Sequence, residues 1–460
     1  MKALKNATLA ALLLASAHHA SAQTTTIRFA ASNGDRTATQ TAISKILDPG
    51  WTYHGTGGAT SDTGSLSVAT GANFGTWKGT FQGNPVTIKT NYAGALAGIA
   101  AVAGNTDQRF DTSDGSGTHP VYGTAGLPNP LNGTTLGTDY ELGTVDFGFS
   151  TNFQSTSPFN GFYEGVTYSP IVEEIVGVSP LGFYASPGFP ADNITTQLAQ
   201  YLYSTGAVPL ALFTGNWTED QNKIVYAIGR NTDAGQRFGA YTEIGLGVNQ
   251  TVTVWDPRTV AGGGGTQGAT TSGNYVWGGT VVNHKLWPSE TISNIFSPEG
   301  SGGFNSGATL AAALTVKLGA DAYKGLYNDP DDGPTYLYPN ATAGYYIGYL
   351  TPGDGNPRVL GVDENGNDLF PTRPADTRGV ALKYNGVPLT SDNVRTGKYT
   401  AWLYNRILKP QSGLTGLRLT FANALRDQIA NVDAPSGGGL FHDASFKVRR
   451  TTDGGIVRPR

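Results

Sequence analysis

The segment Gly229-Arg230-Asn231-Thr232-Asp233-Ala234-Gly235-Gln236-Arg237 combines the residue types needed to hold an anion. It follows a strand-like run, Lys223 to Ile228, and leads into a helical pattern. An arginine at a strand end offers a planar fork of donors, and the first turn of a helix carries N–H groups with partial positive charge and no intrahelical acceptor. Such a combination makes an oxyanion pocket. An ordinary strand-to-helix turn with two solvated arginines uses the same residues, and the segment alone leaves both readings open.

Other chemistries find little support. His54, His119, His284 and His442 are widely spaced, with no His-Glu-x-x-His metal motif and no Gly-x-Ser-x-Gly elbow, so each histidine reads as structural or solvent-facing. Glu173 and Glu174 fall on opposite faces of a strand and cannot share acid–base work. Trp77, Trp217 and Trp402 read as core. The acidic run Asn328 to Pro334 matches no calcium loop and reads as a turn, and Asp363 to Asp368 reads as a hairpin tip. A Gly-rich excursion from Gly262 to Gly279 lacks the Gly-Lys-Ser/Thr ending of a nucleotide loop and reads as a β-hairpin or flexible surface insertion. We therefore expect no enzyme, no cofactor and no metal.

Composition narrows the class further. Met1 to Ala22 has Lys2 and Lys5, an apolar run and Ala20-Ser21-Ala22, the pattern of a secretory signal peptide. With no cysteine in 460 residues there is no disulfide framework and no lipid-bearing cysteine, so the expected location is periplasmic or secreted. No later segment is apolar enough to span a membrane, which excludes an integral membrane protein. The net charge of −4, with no Lys/Arg run, excludes nucleic acid as a partner. A monomer that meets a small anionic or polar solute fits better.

Positioning of the anion motif falls to recurring strand–turn–helix units. Thr26 to Ala31 reads as a strand, Ser32 to Asp35 as a turn and Arg36 to Leu47 as a helix with Ala42, Ile43, Ile46 and Leu47 on one face. Val86 to Thr90, Asn91 to Gly94 and Ala95 to Val102 repeat the pattern, and Thr144 to Ser150 is a strand ending in a polar cluster. Glu174 to Tyr184 reads as one long apolar strand. Asp192 or Asn193 then caps a helix with Ile194, Leu198, Tyr201 and Leu202 inward, stopped by Gly206. Ala308 to Leu318 and Leu414 to Val432 read as helices, and Tyr345 to Leu350 as a buried strand. In open α/β sheets ligands bind outside the carboxyl ends of strands, which is where these loops lie.

Together these segments resemble the phosphate-binding subunits of ABC transporters, a family of type 2 periplasmic binding proteins. The likeness rests on Phe29-Ala30-Ala31-Ser32-Asn33-Gly34, Tyr92 to Ile99, Val145 to Ser150, the Arg230 segment, Tyr384-Asn385-Gly386-Val387 and Thr396-Gly397-Lys398-Tyr399, in that order. It implies two α/β lobes with a ligand cleft between them, here carrying Gly-rich insertions. The corresponding division is a signal peptide at 1–22, a first lobe at 23–170, a second lobe at 171–380 and a return to the first lobe at 381–460. Carried over residue by residue, the ligand-binding positions are Ser32, Asn33 and Arg36 in the first loop, Gly94 and Ala95 in the second, and Ser150 and Thr151 in the third. The second lobe contributes Arg230, Ala234, Gly235 and Gln236.

The departures from the family are chemical. Its second-lobe pattern, Arg-x-x-x-Ser-Gly-Thr, has Ala234 and Gln236 here in place of two hydroxyl donors. Thr151 stands where the family has the aspartate that accepts the proton of hydrogen phosphate, a device that discriminates against sulfate. The resemblance thus implies a non-catalytic solute-binding protein for a phosphate-like oxyanion or polar solute, with an ABC permease as partner. The alternative is a secreted or cell-surface scaffold or adhesion protein that keeps the fold and has lost phosphate binding.

Overall fold

The computed structural model describes residues 23–460 apart from 63–65, 123–125, 128, 249, 262–269, 272–273, 276–277, 330–332 and 436–444. Residues 1–22, His442 and most of the Gly-rich excursion lie outside the described residues.

Alternating burial in Thr25–Ala30 (β1) puts Ile27 and Phe29 in the core, and the chain turns at Ser32–Asp35 into helix Arg36–Ile46 (α1). Strands Thr52–Gly55 (β2), Gly58–Ser61 (β3), Phe74–Phe81 (β4) and Asn84–Asn91 (β5) lead to helix Ala95–Gly104 (α2). Its alanines and glycines let it sit close on the sheet, since a Cβ on Gly98 would lie 2.4 Å from the Phe149 carbonyl. Strand Phe147–Ser150 (β6) completes the central parallel part, with β1 between β5 and β6.

Strand Ile171–Pro180 (β7) also belongs to this sheet, as does Trp402–Pro410 (β14), giving the order β7-β14-β6-β1-β5-β4-β2-β3. Between them the chain builds a second sheet. Its strands are Gly182–Ala185 (β8), Asn193–Ile194 (β9), Ala207–Pro209 (β10), Lys223–Ala227 (β11), Ala343–Leu350 (β12) and Val380–Tyr384 (β13), in the order β9-β13-β8-β12-β11-β10. Helices Thr196–Thr205 (α3) and Gly235–Glu243 (α4) accompany it, and Gly416–Asp427 (α5) returns to the first sheet, where Phe421 packs edge-on against Phe81 at 5.2 Å. Each sheet has its own apolar core, one around Phe29, Trp77 and Phe147 and the other around Phe183, Tyr203 and Tyr349. The chain is therefore a two-lobed α/β protein, the architecture that the resemblance implies.

The apolar run 174–184 is two strands in two lobes. Pro180 has no amide to donate and ends the pairing of β7 with β14, which runs from Ile171 opposite Pro410 to Pro180 opposite Trp402. The chain crosses at Leu181, whose amide donates to the Ala401 carbonyl at 2.9 Å and whose carbonyl accepts from the Tyr399 hydroxyl at 2.6 Å. Both crossings thus lie side by side, at Leu181 and near Ala401, ten residues beyond the 170/171 division and twenty beyond 380/381.

Local corrections have local causes. Helix α3 is capped by Thr195, whose hydroxyl accepts the Leu198 amide at 3.2 Å, because Asn193 and Ile194 are drawn into a parallel pair with β13. Tyr201 faces solvent and Gly206 ends the helix in the left-handed region at φ 81°. The helix after Ser306 covers only Gly307–Ala313, since Lys317–Leu318 pairs as a strand. Trp217 is 54% exposed on a one-turn helix, whereas Trp77 and Trp402 are core. Asp363 folds back on itself, its Oδ1 accepting the Asn365 and Asn367 amides, as a hairpin tip requires. The strands flanking the Gly-rich excursion, Trp255–Ala261 and Thr280–Leu286, pair antiparallel.

Candidate functional site

A cleft forms where the carboxyl ends of β1 and β5 face the carboxyl end of β11. Ser32, Asn33, Gly34, Ala93, Gly94 and Ala95 line it from the first lobe, and Arg230, Asn231, Ala234, Gly235 and Gln236 from the second. The structure thus brings together eight of the expected residues and adds Gly34, Ala93 and Asn231. The lobes close tightly on one another, leaving a cavity of about 10 Å³, scarcely one water's worth of room.

Arg230 lies three residues past the end of β11 and is 5% exposed. Its Nε donates to the Phe304 carbonyl at 3.0 Å, Nη2 to the Asn305 carbonyl at 3.3 Å and Nη1 to Gln236 Oε1 at 2.8 Å. No carboxylate among the described residues lies within ion-pairing distance, so the hydrogen bonds of this buried guanidinium go to neutral acceptors. Burial pulls its pKa down, opposed by the fields of Asp354, Tyr349 and Asp233. Arg237 is also buried, but points away to the carbonyls of Arg230 at 3.0 Å and Gly302 at 2.7 Å and to Ser301. Neither arginine is solvated. Arg237 fastens the start of α4 to the 301–302 loop, and Arg230 faces the cleft.

Helix α4 starts at Gly235 with no side-chain cap, and the first amides bonded back within the helix are those of Arg237 and Phe238, both to the Ala234 carbonyl. The amides of Gly235 and Gln236 therefore stand at the cleft as helix-terminal donors. Gly235 must be glycine for space: a Cβ would lie 1.8 Å from Thr151 Oγ1 and 2.8 Å from the Ala95 Cβ, across the lobes.

The first-lobe donors are committed differently. Ser32 Oγ accepts the Gly34 amide at 3.0 Å, shaping the turn at the end of β1. Asn33 and Asn231, one from each lobe, line the cleft, and their Oδ1 atoms are buried acceptors with no hydrogen-bond partner among the described residues. At α2, the Ala95 amide donates to the Asp233 carbonyl at 3.2 Å and the Ala97 amide to Asp233 Oδ1 at 3.0 Å. Asp233, 1% exposed, also takes Ser293 Oγ at 3.2 Å, and burial lifts its pKa to about 7.

Three expected residues lie elsewhere. Arg36 turns to the Thr70 carbonyl at 2.8 Å and to Asn73, because α1 presents it toward the short helix Ser67–Gly71 and the residues after it rather than the cleft. Ser150 Oγ accepts the Asn152 amide at 3.1 Å, and Thr151 Oγ1 is 3.4 Å from Asn152 Oδ1, so this loop bonds to itself and packs on Gly235. Thr151 fills space between the lobes.

The described histidines do not line the cleft. His284 is buried between Trp255, stacked at 4.5 Å, and the Tyr346 hydroxyl at 2.9 Å, and burial holds its pKa down at about 3. His119 stacks on Tyr122 and hydrogen-bonds Thr112 at 2.8 Å. Among the described residues no group of His, Cys, Asp and Glu is arranged to hold a metal ion, and no helix is long and apolar enough to cross a membrane.

No family model matches the chain, and no curated protein matches it. Among solved structures it is similar to an ABC-type phosphate transport receptor from Vibrio cholerae, with 11% identity over 88% of this chain and 95% of that one at a TM-score of 0.38. It is also similar to PstS from Borrelia burgdorferi, with 9% identity over 87% of this chain and 91% of that one at a TM-score of 0.34.

Proposed function

We propose that this chain is a non-catalytic, exported solute-binding protein that closes two lobes over a small oxyanion or polar solute and passes it to an ABC permease. The observation that carries the reading is Arg230, a buried guanidinium facing the cleft that is ion-paired to no carboxylate among the described residues. An unpaired buried charge is costly, and a bound anion removes that cost while adding charge-assisted hydrogen bonds. The amides of Gly235 and Gln236 add the field of a helix N-terminus on the same side. Asn33 Oδ1 and Asn231 Oδ1 supply acceptors, which suit a solute carrying a proton, such as a monoprotonated oxyanion or a hydroxylated acid. Hinge motion at the paired crossings near Leu181 and Ala401 gives the solute its way in.

Titration calorimetry with phosphate, sulfate, molybdate and small carboxylates, joined to thermal unfolding, tests this reading. Binding heat and a stabilising shift with at least one solute are expected, and Arg230→Ala should remove both. Silence with all of them rejects the proposal.

A second reading, the secreted scaffold or adhesion protein that has lost phosphate binding, is favoured by the tight contact of Gly235 with Thr151 and Ala95. It requires lobes that stay shut whatever solute is added, and a partner recovered from envelope extract that is not a permease.

A further inference from the structure

The first turn of α2 belongs to one lobe and receives its cap from the other. A helix start of this kind has amides that need acceptors, and Gly94 at the cap position has no side chain to offer one. Asp233 of the second lobe meets this need with its main-chain carbonyl on the Ala95 amide at 3.2 Å and its carboxylate on the Ala97 amide at 3.0 Å. The Leu96 amide bonds to the same carboxylate. Gly94 is what admits it, because a Cβ there would lie 1.8 Å from Asp233 Oδ2. Its φ of 179° is extended backbone open to any residue, so the backbone conformation does not demand the glycine, whereas the Asp233 carboxylate does. The second oxygen takes Ser293 Oγ, and Asp233 makes no ion pair with a lysine or arginine among the described residues.

A carboxylate on a helix N-terminus, bonded to successive amides in a dry site, is the arrangement a bound oxyanion adopts. We propose that Asp233 is a tethered anion, which draws the lobes together by capping α2 and obliges any free oxyanion to compete with it for the α2 amides. This rests on the solute-binding reading for its competitive half only. Asp233 then sets specificity: a solute that leaves it in place meets Arg230 and the start of α4, and a fully ionised oxyanion also meets repulsion from the Asp233 carboxylate in its ionised form.

The test compares wild type with Asp233→Ala, Asp233→Asn and Gly94→Ala by small-angle scattering without solute and by calorimetry with sulfate, which has no proton to share. Circular dichroism confirms that each variant is folded. Asp233→Ala and Gly94→Ala should both increase the radius of gyration, the second by evicting the carboxylate without altering it. Asp233→Ala should bind sulfate at least ten-fold more tightly than wild type. Asp233→Asn keeps the shape and removes the charge, and should show an intermediate gain, so it decides the matter if the alanine variant does not fold. Unchanged scattering in both opening variants overturns the tethered closure, and equal sulfate affinity in wild type and Asp233→Ala overturns the competition. If Asp233→Ala opens and no variant binds any anion, the closure stands and the solute-binding reading falls.

Discussion

Gln236 Oε1 accepts a hydrogen bond from Arg230 Nη1 at 2.8 Å, within one strand-to-helix turn of the same lobe. The glutamine stands where the phosphate-binding family has threonine, and its longer side chain reaches back to occupy the guanidinium edge that would otherwise meet a solute. A hydrogen bond to a charged group is worth about 1.5–3 kcal/mol. Gln236→Thr should therefore raise affinity for phosphate or sulfate by about ten-fold or more, read by calorimetry. A fall in affinity would make Gln236 itself the contact to solute.

Gly235 gives a steric test of lobe closure that does not involve charge. With no room for a Cβ between Thr151 and Ala95, Gly235→Ala should hold the lobes apart while leaving α4 intact, since alanine is the better helix former. Scattering should report expansion, and the stability of each lobe should change little.

The C-terminal stretch is fastened by Arg450, whose Nη1 meets Glu243 Oε2 at 2.9 Å with side-chain exposures of 2% and 8%, and whose guanidinium lies 4.0 Å over Trp402. Breaking a buried pair by removing one partner strands the other charge. Arg450→Ala should cost about 3–5 kcal/mol in denaturant unfolding. Lys78 and Asp114 are similarly close at 3.1 Å but 48% and 59% exposed, and Lys78→Ala should change stability by less than about 1 kcal/mol.

Asp35 sets a pH dependence with an unusual sign. Burial lifts its pKa from 3.8 to about 7, against the hydrogen bond from Asn405. Between these values the unfolded chain has released the proton that the folded protein keeps, so this residue's contribution to stability declines as pH rises from about 4 to about 7. His284 acts the other way. Its folded pKa of about 3 lies below the unfolded 6.5, so its contribution is complete above 6.5 and is lost as pH falls toward 3. Unfolding curves of Asp35→Asn should lack the first slope, and those of His284→Phe the second, each measured as a difference from wild type.

Much of the scaffold was legible. The turn at Ser32–Asp35, the helix after Gly94 and the strand before Arg230 follow from apolar spacing and turn residues that act over a few positions. Eight cleft residues follow from the order of these units in the resembling family. Asn231, Gly34 and Ala93 carry no distinguishing signal beyond their neighbours. Arg36 opens α1 and Ser150 and Thr151 sit at the end of β6, but their side chains are taken by Thr70, Asn73 and Asn152, partners that spacing does not reveal. The apolar run 174–184 reads as a single strand because both halves are apolar, and burial in two different cores looks alike in one dimension.

By itself, the sequence determined the α/β units, the strand ends that carry polar loops, the arginine at the end of β11 and the loss of two hydroxyls and an aspartate relative to the family. Only the tertiary structure decided where the charges point. Asp233 meets the Ala97 amide from 136 positions away, and nothing in the spacing of either segment records that Gly94 makes room for it. Local propensities act along the chain and survive in the letters, whereas the partner of a buried polar group is chosen by which surfaces close on one another, a choice made only when both lobes are folded and packed.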